Sequence, residues 1–276
     1  MNIDPEVRIF LVHIRTFSET VTLGRTGLSV GRLGLGAGYG APAAAFEKAF
    51  ERGCNYFYWT SRKSGMREAI RSICGRGQRD NLVVAVQSYA RSAALMEISL
   101  ARALKNLSID HADVFLMGWH NKAPARRLID RALDMKSRGM VRCIGMSGHQ
   151  RPLFPQMAKT GAFDLFHIRY NAAHRGAATE AFPHLGDAGV VSYTATRWGH
   201  LLNPKKMPPG EKPPSSTDCY RFVLSQPGIH ACLCGPRDMA QMDAALKTLD
   251  SPPMDNDEQT RMRTIGDHVH RQRSFF

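Results

Sequence analysis

Side chains that can exchange protons or hold a polar group follow several short apolar runs of this sequence. The candidates for such chemistry are Tyr58, Lys63, Gln87, His120 and His149. Histidine titrates near neutral pH, tyrosine donates a proton or a hydrogen bond, and lysine acts as an acid, a Schiff-base amine or an anion-binding cation. These residue types predict acid–base chemistry. The plainer interpretation is a buried tyrosine with a satisfied hydroxyl and a solvated loop lysine.

A second group of side chains at the ends of the same runs could bind a substrate. Its members are Trp119, Arg169, Tyr170, Asn171 and Arg197. Arginine presents a fork of donors that matches carboxylate and phosphate groups, and aromatic rings offer apolar surface. The group predicts a small polar or anionic substrate. The alternative interpretation is that these positions are polar only because loops are solvated.

The charge balance favours the same kind of partner. The chain has 276 residues, with 37 Lys and Arg against 24 Asp and Glu, and a formal net charge of +13. Such an excess attracts anions, but the basic residues are scattered and form no long run. The sequence therefore predicts a small anionic molecule as partner and does not predict nucleic acid.

Targeting signals and metal motifs are weak in this chain. No apolar run is long enough to span a bilayer and the first residues do not suit a signal peptide, so we expect a cytoplasmic protein without a membrane partner. The six cysteines form no Cys-x-x-Cys pair, which predicts free, buried thiols. His120, His149 and His167 end adjacent predicted strands and could bind zinc, but their spacing favours a site without metal.

These side chains must be positioned by the elements that precede them, and short apolar runs alternate with amphipathic segments. The predicted strands cover residues 33–38, 56–59, 82–88, 112–119, 141–147, 165–170, 190–196 and 231–235. Helical patterns include residues 42–52, 65–74, 93–107, 124–138, 151–160, 179–185 and 217–225. Eight strand–helix units in about 250 residues predict an α/β fold, a (β/α)8 TIM barrel with its site at the carboxyl ends of the strands.

Three segments lie outside the alternating pattern. Residues 1–30 predict an N-terminal β-hairpin region, with strands over 19–23 and 28–30 and a turn over 24–27. Residues 203–216 form a proline-rich loop after strand seven, where barrel loops build binding sites. Residues 255–276 predict a C-terminal helix and tail. No shift in composition marks a boundary, so we expect residues 1–276 to form a single domain.

Several motifs resemble those of the aldo-keto reductases. The run over residues 23–36, Leu-Gly-Arg-Thr-Gly-Leu-Ser-Val-Gly-Arg-Leu-Gly-Leu-Gly, is similar to the opening of that family. Further matches are Gly53-Cys-Asn-Tyr-Phe57, Asp110-x-x-Asp113, Ile144-Gly-Met-Ser147, Tyr170-Asn171 and Leu224-Ser-Gln-Pro-Gly228. The resemblance extends from about residue 21 to about residue 250. It implies a barrel that binds a nicotinamide dinucleotide.

The same resemblance implies that the catalytic tetrad of the family is substituted at all four positions. The family uses Asp, Tyr, Lys and His to protonate a carbonyl while NADPH delivers hydride. Those positions hold Tyr58, Lys63, Gln87 and, where a histidine precedes the tryptophan, Gly118. Ordinary aldo-keto reductase activity is therefore not expected, although a shift of one residue would bring His120 into use.

The positions that bind the cofactor in the family are partly kept. They are Ser147, His167, Tyr193, Gly235, Arg237 and Gln241. Tyr193 matches the tyrosine that stacks on the nicotinamide, and Arg237 keeps a cation for the adenosine phosphate. Gly148 stands where the family has asparagine, and His167 stands where it has glutamine, so the carboxamide contacts are altered. The resemblance implies NADP or NAD as cofactor.

Three functions remain open at this point. The first is an NAD(P)(H)-dependent oxidoreductase with a rewired active site, acting on a small anionic or polar carbonyl or alcohol. The second is a non-redox acid–base enzyme, a lyase or isomerase, which accounts better for the altered tetrad. The third is a non-catalytic protein that binds a nucleotide or a partner. The surviving stacking and phosphate positions favour the first.

Overall fold

Eight parallel strands close into a barrel in this computed structural model, which describes residues 16–60 and 65–272. Each strand pairs with the next along the chain, and the last pairs with the first. The strands are β1 (Leu33–Gly36), β2 (Tyr56–Trp59), β3 (Val83–Ser88), β4 (Ala112–Met117), β5 (Val141–Gly148), β6 (Leu165–Arg169), β7 (Gly189–Tyr193) and β8 (Ala231–Cys234). The predicted α/β fold, a (β/α)8 TIM barrel, is confirmed.

Alternation along the strands divides their apolar side chains between two layers. On β3, Val84 and Val86 belong to the large core beneath the helices, while Val83 and Ala85 belong to a smaller cluster inside the barrel. Successive side chains of a strand point to opposite faces. The inner row of β3 therefore continues to Gln87, and its side chain lies at the carboxyl end of the barrel interior.

Helices connect the strands on the outside of the barrel. They are α1 (Ala43–Glu51), α2 (Met66–Gly75), α3 (Ala93–Leu107), α4 (Arg126–Ser137), α5 (Leu153–Ala158), α6 (Ala177–Glu180), α7 (Ser216–Leu224), α8 (Met239–Leu246) and α9 (Asn256–Arg271). Helix α3 has the predicted bounds. Helices α7 and α9 begin with capping boxes, in which Ser215 and Asp255 accept from the third backbone N–H of the helix.

The predicted hairpin closes the amino end of the barrel. Val21–Thr22 pairs antiparallel with Ser29–Val30, and Gly24–Thr26 forms a 3-10 turn between them. The turn lies against the start of β7, because a Cβ on Gly24 would be 2.3 Å from the Gly189 nitrogen. Residues 1–15 of this region lie outside the described residues.

Several predicted elements end earlier than the apolar pattern indicates. The strand predicted over 33–38 ends at Gly36, where a 3-10 turn over Ala37–Tyr39 begins. The strands predicted to reach 119 and 196 end at Met117 and Tyr193, because Trp119 and Thr194 have left-handed φ angles of 55° and 62°. The helix predicted over 179–185 is the four-residue α6 followed by a 3-10 turn over Phe182–His184.

The loop after β7 ends at Ser215, where α7 begins, and residues 273–276 of the predicted tail lie outside the described residues. Between residues 203 and 215 the described structure is a 3-10 turn over Pro204–Lys206 followed by irregular chain. The predicted C-terminal helix is α9. Within residues 16–60 and 65–272, every helix is too short or too polar to cross a lipid bilayer.

Candidate active site

A cleft of about 1320 Å³ opens at the carboxyl ends of the strands. It collects twelve of the sequence-predicted site residues on one surface: Tyr58, Gln87, Trp119, Ser147, His149, His167, Arg169, Tyr193, Arg197, Gly235, Arg237 and Gln241. Many of these residues occupy inner positions of the strands, since alternate residues of each strand point into the barrel. The loops after β4, β5, β7 and β8 supply the rest.

Three other predicted residues lie outside the lining of the cleft. His120 is buried, and its backbone N–H donates to the Ser147 carbonyl at 2.7 Å. Tyr170 points away from the barrel interior, where its hydroxyl donates to Gln226 at 2.8 Å. The Asn171 amide donates to the Thr194 carbonyl at 2.8 Å. The side chains of Tyr170 and Asn171 thus have structural partners, whereas Nε2 of His120 is buried without a hydrogen-bond partner among the described residues. Lys63 lies outside the described residues.

Tyr58 points into the cleft from β2. Its pKa is raised far above 10 by burial first and then by the nearby Tyr89 and Tyr56. Its ring lies 5.2 Å from the ring of His167. At neutral pH the Tyr58 side chain is therefore an uncharged phenol, which can donate or accept a hydrogen bond.

Gln87 occupies the cleft end of β3 and explains the glycine that follows β4. A Cβ at position 118 would lie 2.1 Å from Gln87 Nε2, so no larger residue fits there while the glutamine keeps this position. The other end of the amide, Gln87 Oε1, is buried without a hydrogen-bond partner among the described residues. An unsatisfied buried acceptor is costly, and a ligand with an N–H or O–H donor would satisfy it.

The end of β5 is held tightly against the loop after β4. The Ser147 hydroxyl accepts from the Trp119 backbone N–H at 3.1 Å. A Cβ at position 148 would lie 2.0 Å from the His120 carbonyl oxygen, which is a backbone atom. Gly148 is thus required by packing, and this packing is incompatible with the asparagine that the family resemblance implies there.

His149 lies between two aromatic rings of the cleft. Its ring is edge-on to Trp119 at 5.9 Å and to Tyr193 at 6.2 Å. Nδ1 of His149 is buried without a hydrogen-bond partner among the described residues. Burial, together with the nearby charge of Arg169, holds the pKa of His149 below 6.5. The imidazole is therefore mostly neutral at pH 7 and has a free site for a proton.

His167 is tied to the floor of the cleft. Its Nε2 lies 2.7 Å from the hydroxyl of Tyr56, which is itself fully buried. Burial lowers the pKa of His167 to about 3, so the ring is neutral at physiological pH. Only one of the two groups donates in this contact, and the tautomer of His167 decides which one it is.

The wall of the cleft continues from β7 to the beginning of α8. The Tyr193 hydroxyl donates to the Gly148 carbonyl at 2.9 Å, and burial raises the pKa of Tyr193 to about 12. At the other end, the Arg237 backbone N–H donates to Gln241 Oε1 at 3.1 Å. The Tyr39 ring covers Gly235 so closely that a Cβ there would be 2.3 Å from it.

The charged side chains that line the cleft are all basic. Among the described residues that line it there are three arginines, Arg169, Arg197 and Arg237, and no aspartate or glutamate. Sequence reasoning missed Tyr39, Trp198 and His200, which also line the cleft. Trp198 and His200 lie within three residues of Arg197 in the loop after β7. Their place in that loop, close to a predicted site residue, was the sequence feature that could have identified them.

Metal-binding geometry is not found in the described part of the chain. Within residues 16–60 and 65–272, no group of three or more His, Cys, Asp or Glu side chains could hold a metal ion. His120, one of the three histidines considered for zinc, lies outside the cleft lining, whereas His149 and His167 belong to it.

Solved structures with the same fold are aldo-keto reductases. An aldo-keto reductase from Bacillus halodurans in its holo form superposes with a TM-score of 0.74 at 17% identity, covering 90% of this chain and 96% of that one. Its apo form gives 0.73 at 18% identity over the same shares. A Pseudomonas aeruginosa protein described as an aldo-keto reductase gives 0.63 at 20% identity, covering 86% of this chain and 98% of that one.

Sequence comparison adds one curated relative. The NADH-specific methylglyoxal reductase of Escherichia coli (strain K12) is 25% identical over 96 residues, which span 33% of this chain and 29% of that enzyme. No protein-family model matches the chain. The chain therefore resembles the aldo-keto reductases in its motifs, and it has their fold.

Proposed function

We propose that this protein is an NAD(P)(H)-dependent oxidoreductase that acts on a small polar or anionic carbonyl or alcohol through a rewired active site. The observation that carries the proposal is the continuity of the cleft. One surface joins Ser147 and Tyr193, where the resemblance expects the nicotinamide, to Arg237 and Gln241, where it expects the adenosine phosphate.

The donor set at both ends of the cleft fits such a cofactor. Ser147 accepts one hydrogen bond through its hydroxyl oxygen and keeps its own hydrogen for a ligand carbonyl. Arg237 forms no ion pair with any described residue, which leaves its guanidinium available to a phosphate. Ser147, Tyr193, Arg237 and Gln241 would hold the dinucleotide. When bound, it supplies or accepts a hydride.

His149 is the proton carrier that we propose in place of the family tyrosine. It lines the cleft, its Nδ1 lacks a partner among the described residues, and its pKa lies below 6.5. A neutral imidazole accepts the proton of an alcohol during oxidation, and the protonated form returns it during carbonyl reduction. Tyr58, as an uncharged phenol, would hold the substrate oxygen by a hydrogen bond. Lys63 remains a candidate from the sequence alone.

The names of the relatives are in keeping with nicotinamide chemistry. The solved neighbours are called aldo-keto reductases, and the curated relative is called an NADH-specific methylglyoxal reductase. The choice between NADP and NAD is a separate matter. We propose a preference for NADP, because Arg237 offers a fork of donors suited to an extra phosphate.

The first test is a titration of the protein with NADPH, NADP, NADH and NAD, followed by tryptophan fluorescence and calorimetry. We expect micromolar binding that is tighter for the phosphorylated forms, and turnover of a carbonyl or alcohol in a subsequent screen. Absence of binding at millimolar concentration would reject the redox proposal. Tight binding without turnover of any carbonyl or alcohol would favour the non-catalytic alternative.

A non-redox acid–base enzyme, a lyase or isomerase, is the second candidate. The specific observation in its favour is the packing at Gly118 and Gly148, where an added Cβ would lie 2.1 Å from the Gln87 side chain and 2.0 Å from the His120 carbonyl oxygen. The cleft nevertheless keeps His149 and Tyr58 as acid–base groups. This candidate predicts no dinucleotide binding and loss of activity in His149→Asn at unchanged thermal stability.

A further inference from the structure

We propose that Arg169 and Arg197 together form a binding site for a phosphate group on the substrate. The inference rests on the proposed function, because it names the substrate class that the same cleft would accept. Three observations support it: both guanidinium groups line the same cleft, the backbone holds Arg197 in place, and neither arginine has a carboxylate partner among the described residues.

The two arginines are brought together by neighbouring strands. Arg169 is the last residue of β6 and pairs in register with Tyr193, the last residue of β7. Arg197 follows Tyr193 in the next loop, and both arginine side chains line the cleft. The charge of Arg169 acts on Arg197, since the pKa of Arg197 is lowered by burial and then by Arg169.

The backbone turns Arg197 inward at a conformational cost. Thr194, Arg197 and Trp198 all adopt left-handed φ angles, of 62°, 49° and 51°. Non-glycine residues rarely adopt this conformation, and where they do it is commonly at a functional site. Arg197 is only 3% exposed, and its Nη1 donates to the Val269 carbonyl of α9. The guanidinium is thus held in one place.

Neither guanidinium has a carboxylate partner in the described structure. Arg169 forms no hydrogen bond or ion pair with a described residue, and burial lowers its pKa. Nε of Arg197 is buried without a partner. The acids nearest along the chain are already engaged, since Asp164 pairs with Lys136 at 2.7 Å and Asp187 with Arg25 at 3.1 Å. A buried cation without a partner is costly.

The two arginine side chains suit a doubly charged ligand. Two guanidinium forks match the several acceptor oxygens and double charge of a phosphate better than a single carboxylate.

The test uses the whole protein with inorganic phosphate as the probe. Binding is measured by calorimetry and by thermal unfolding at constant ionic strength, with sulfate as a second dianion and acetate as the monoanion. We expect saturable binding of phosphate and sulfate, and binding of acetate that is weaker by roughly ten-fold or more. Equal effects of acetate and phosphate would overturn the proposal.

Matched variants assign the binding to this pair. Arg169→Gln should weaken phosphate binding by roughly 10- to 100-fold, because a charge-assisted contact is lost. Arg197→Lys keeps the charge, loses the fork and should weaken it less. Arg127→Gln removes the same charge from an exposed position on α4 and should leave binding unchanged. Full phosphate binding by Arg169→Gln would refute the assignment, provided that its thermal unfolding shows a folded protein.

Repeating the titration with saturating NADPH separates this inference from the proposed function. Phosphate that binds equally well beside NADPH supports a substrate site. Competitive displacement of phosphate by NADPH overturns the substrate site, because the arginines then bind the pyrophosphate of the cofactor. If no dinucleotide binds while phosphate binding still depends on Arg169, the redox proposal fails and the phosphate site stands.

Discussion

Replacing Gly148 with alanine tests the tight packing between the loop after β4 and the end of β5. The new Cβ would lie 2.0 Å from the His120 carbonyl oxygen and 3.0 Å from its carbon, so backbone must move by about an ångström. Gly148 does not have a positive φ, so alanine meets no backbone strain of its own. The strain in the folded state therefore comes from this one contact.

The expected loss follows from two opposing contributions. Overpacking against backbone costs about 3 kcal/mol, at the upper end of the usual range. Replacing glycine by alanine returns about 0.7 kcal/mol by restricting the unfolded chain. We therefore expect the free energy of unfolding to fall by about 2 kcal/mol, which lowers the melting temperature by about 4–8 °C.

The assay is urea unfolding followed by tryptophan fluorescence, with thermal unfolding as a second measurement. Gly75→Ala is the matched control, because a Cβ there meets no atom within 4 Å and Gly75 is not a positive-φ glycine. It should be neutral or slightly stabilising. The reasoning is refuted if Gly148→Ala unfolds at the same urea concentration as the wild type, or at a higher one.

Further predictions concern the cofactor, the proton carrier and the buried polar pairs. Arg237→Ala should weaken NADPH binding by roughly ten-fold and leave NADH almost unaffected, and equal losses in a calorimetric titration would contradict the role of Arg237. In the wild type, protonation of the His149 imidazole should raise the rate of carbonyl reduction as pH falls below 6.5. His149→Asn should abolish this rise, and a pH–rate profile checks it. Tyr56→Phe leaves Nε2 of His167 without its partner and should cost about 1–3 kcal/mol in urea unfolding. The pKa of His167 is about 3 in the folded protein, so between pH 3 and 6.5 the unfolded state binds more protons than the folded state. The free energy of unfolding should therefore decrease as pH falls through this range. The decrease should be less steep in His167→Phe. Asp113→Asn removes a buried charge paired with two arginines at 2.9 and 3.0 Å and should cost about 3 kcal/mol, with no loss taken as refutation.

The barrel could be predicted from the sequence because its strands carry a repeated local pattern. Each apolar run is bounded by turn residues, and the inner positions follow a period of two. The same parity places Tyr58 on the inner face of β2 and Gln87 on the inner face of β3, where the cleft begins. Tyr170 directly follows β6 and points to the opposite side from His167, so its side chain packs in the core beneath the helices instead.

The remaining parts of the site depend on backbone turns that the pattern does not encode. Trp119 adopts a left-handed φ, which ends the alternation of β4 and leaves His120 buried outside the cleft lining. Trp198 and His200 enter the cleft through a similar turn after β7. Gly118 and Gly148 also carry no local signal, since the need for glycine arises from Gln87 and from the His120 carbonyl, which are distant in sequence.

The hairpin at the amino end of the barrel has a consequence for the order of events in a catalytic cycle. Leu23, Leu28 and Val30 belong to the apolar cluster inside the barrel and are nearly or fully buried. A ligand in the cleft must therefore enter and leave through the open carboxyl end. Where two molecules share one entrance, the deeper one arrives first and departs last. We accordingly expect steady-state kinetics of an ordered sequential type, with product inhibition that reveals which molecule lies deeper.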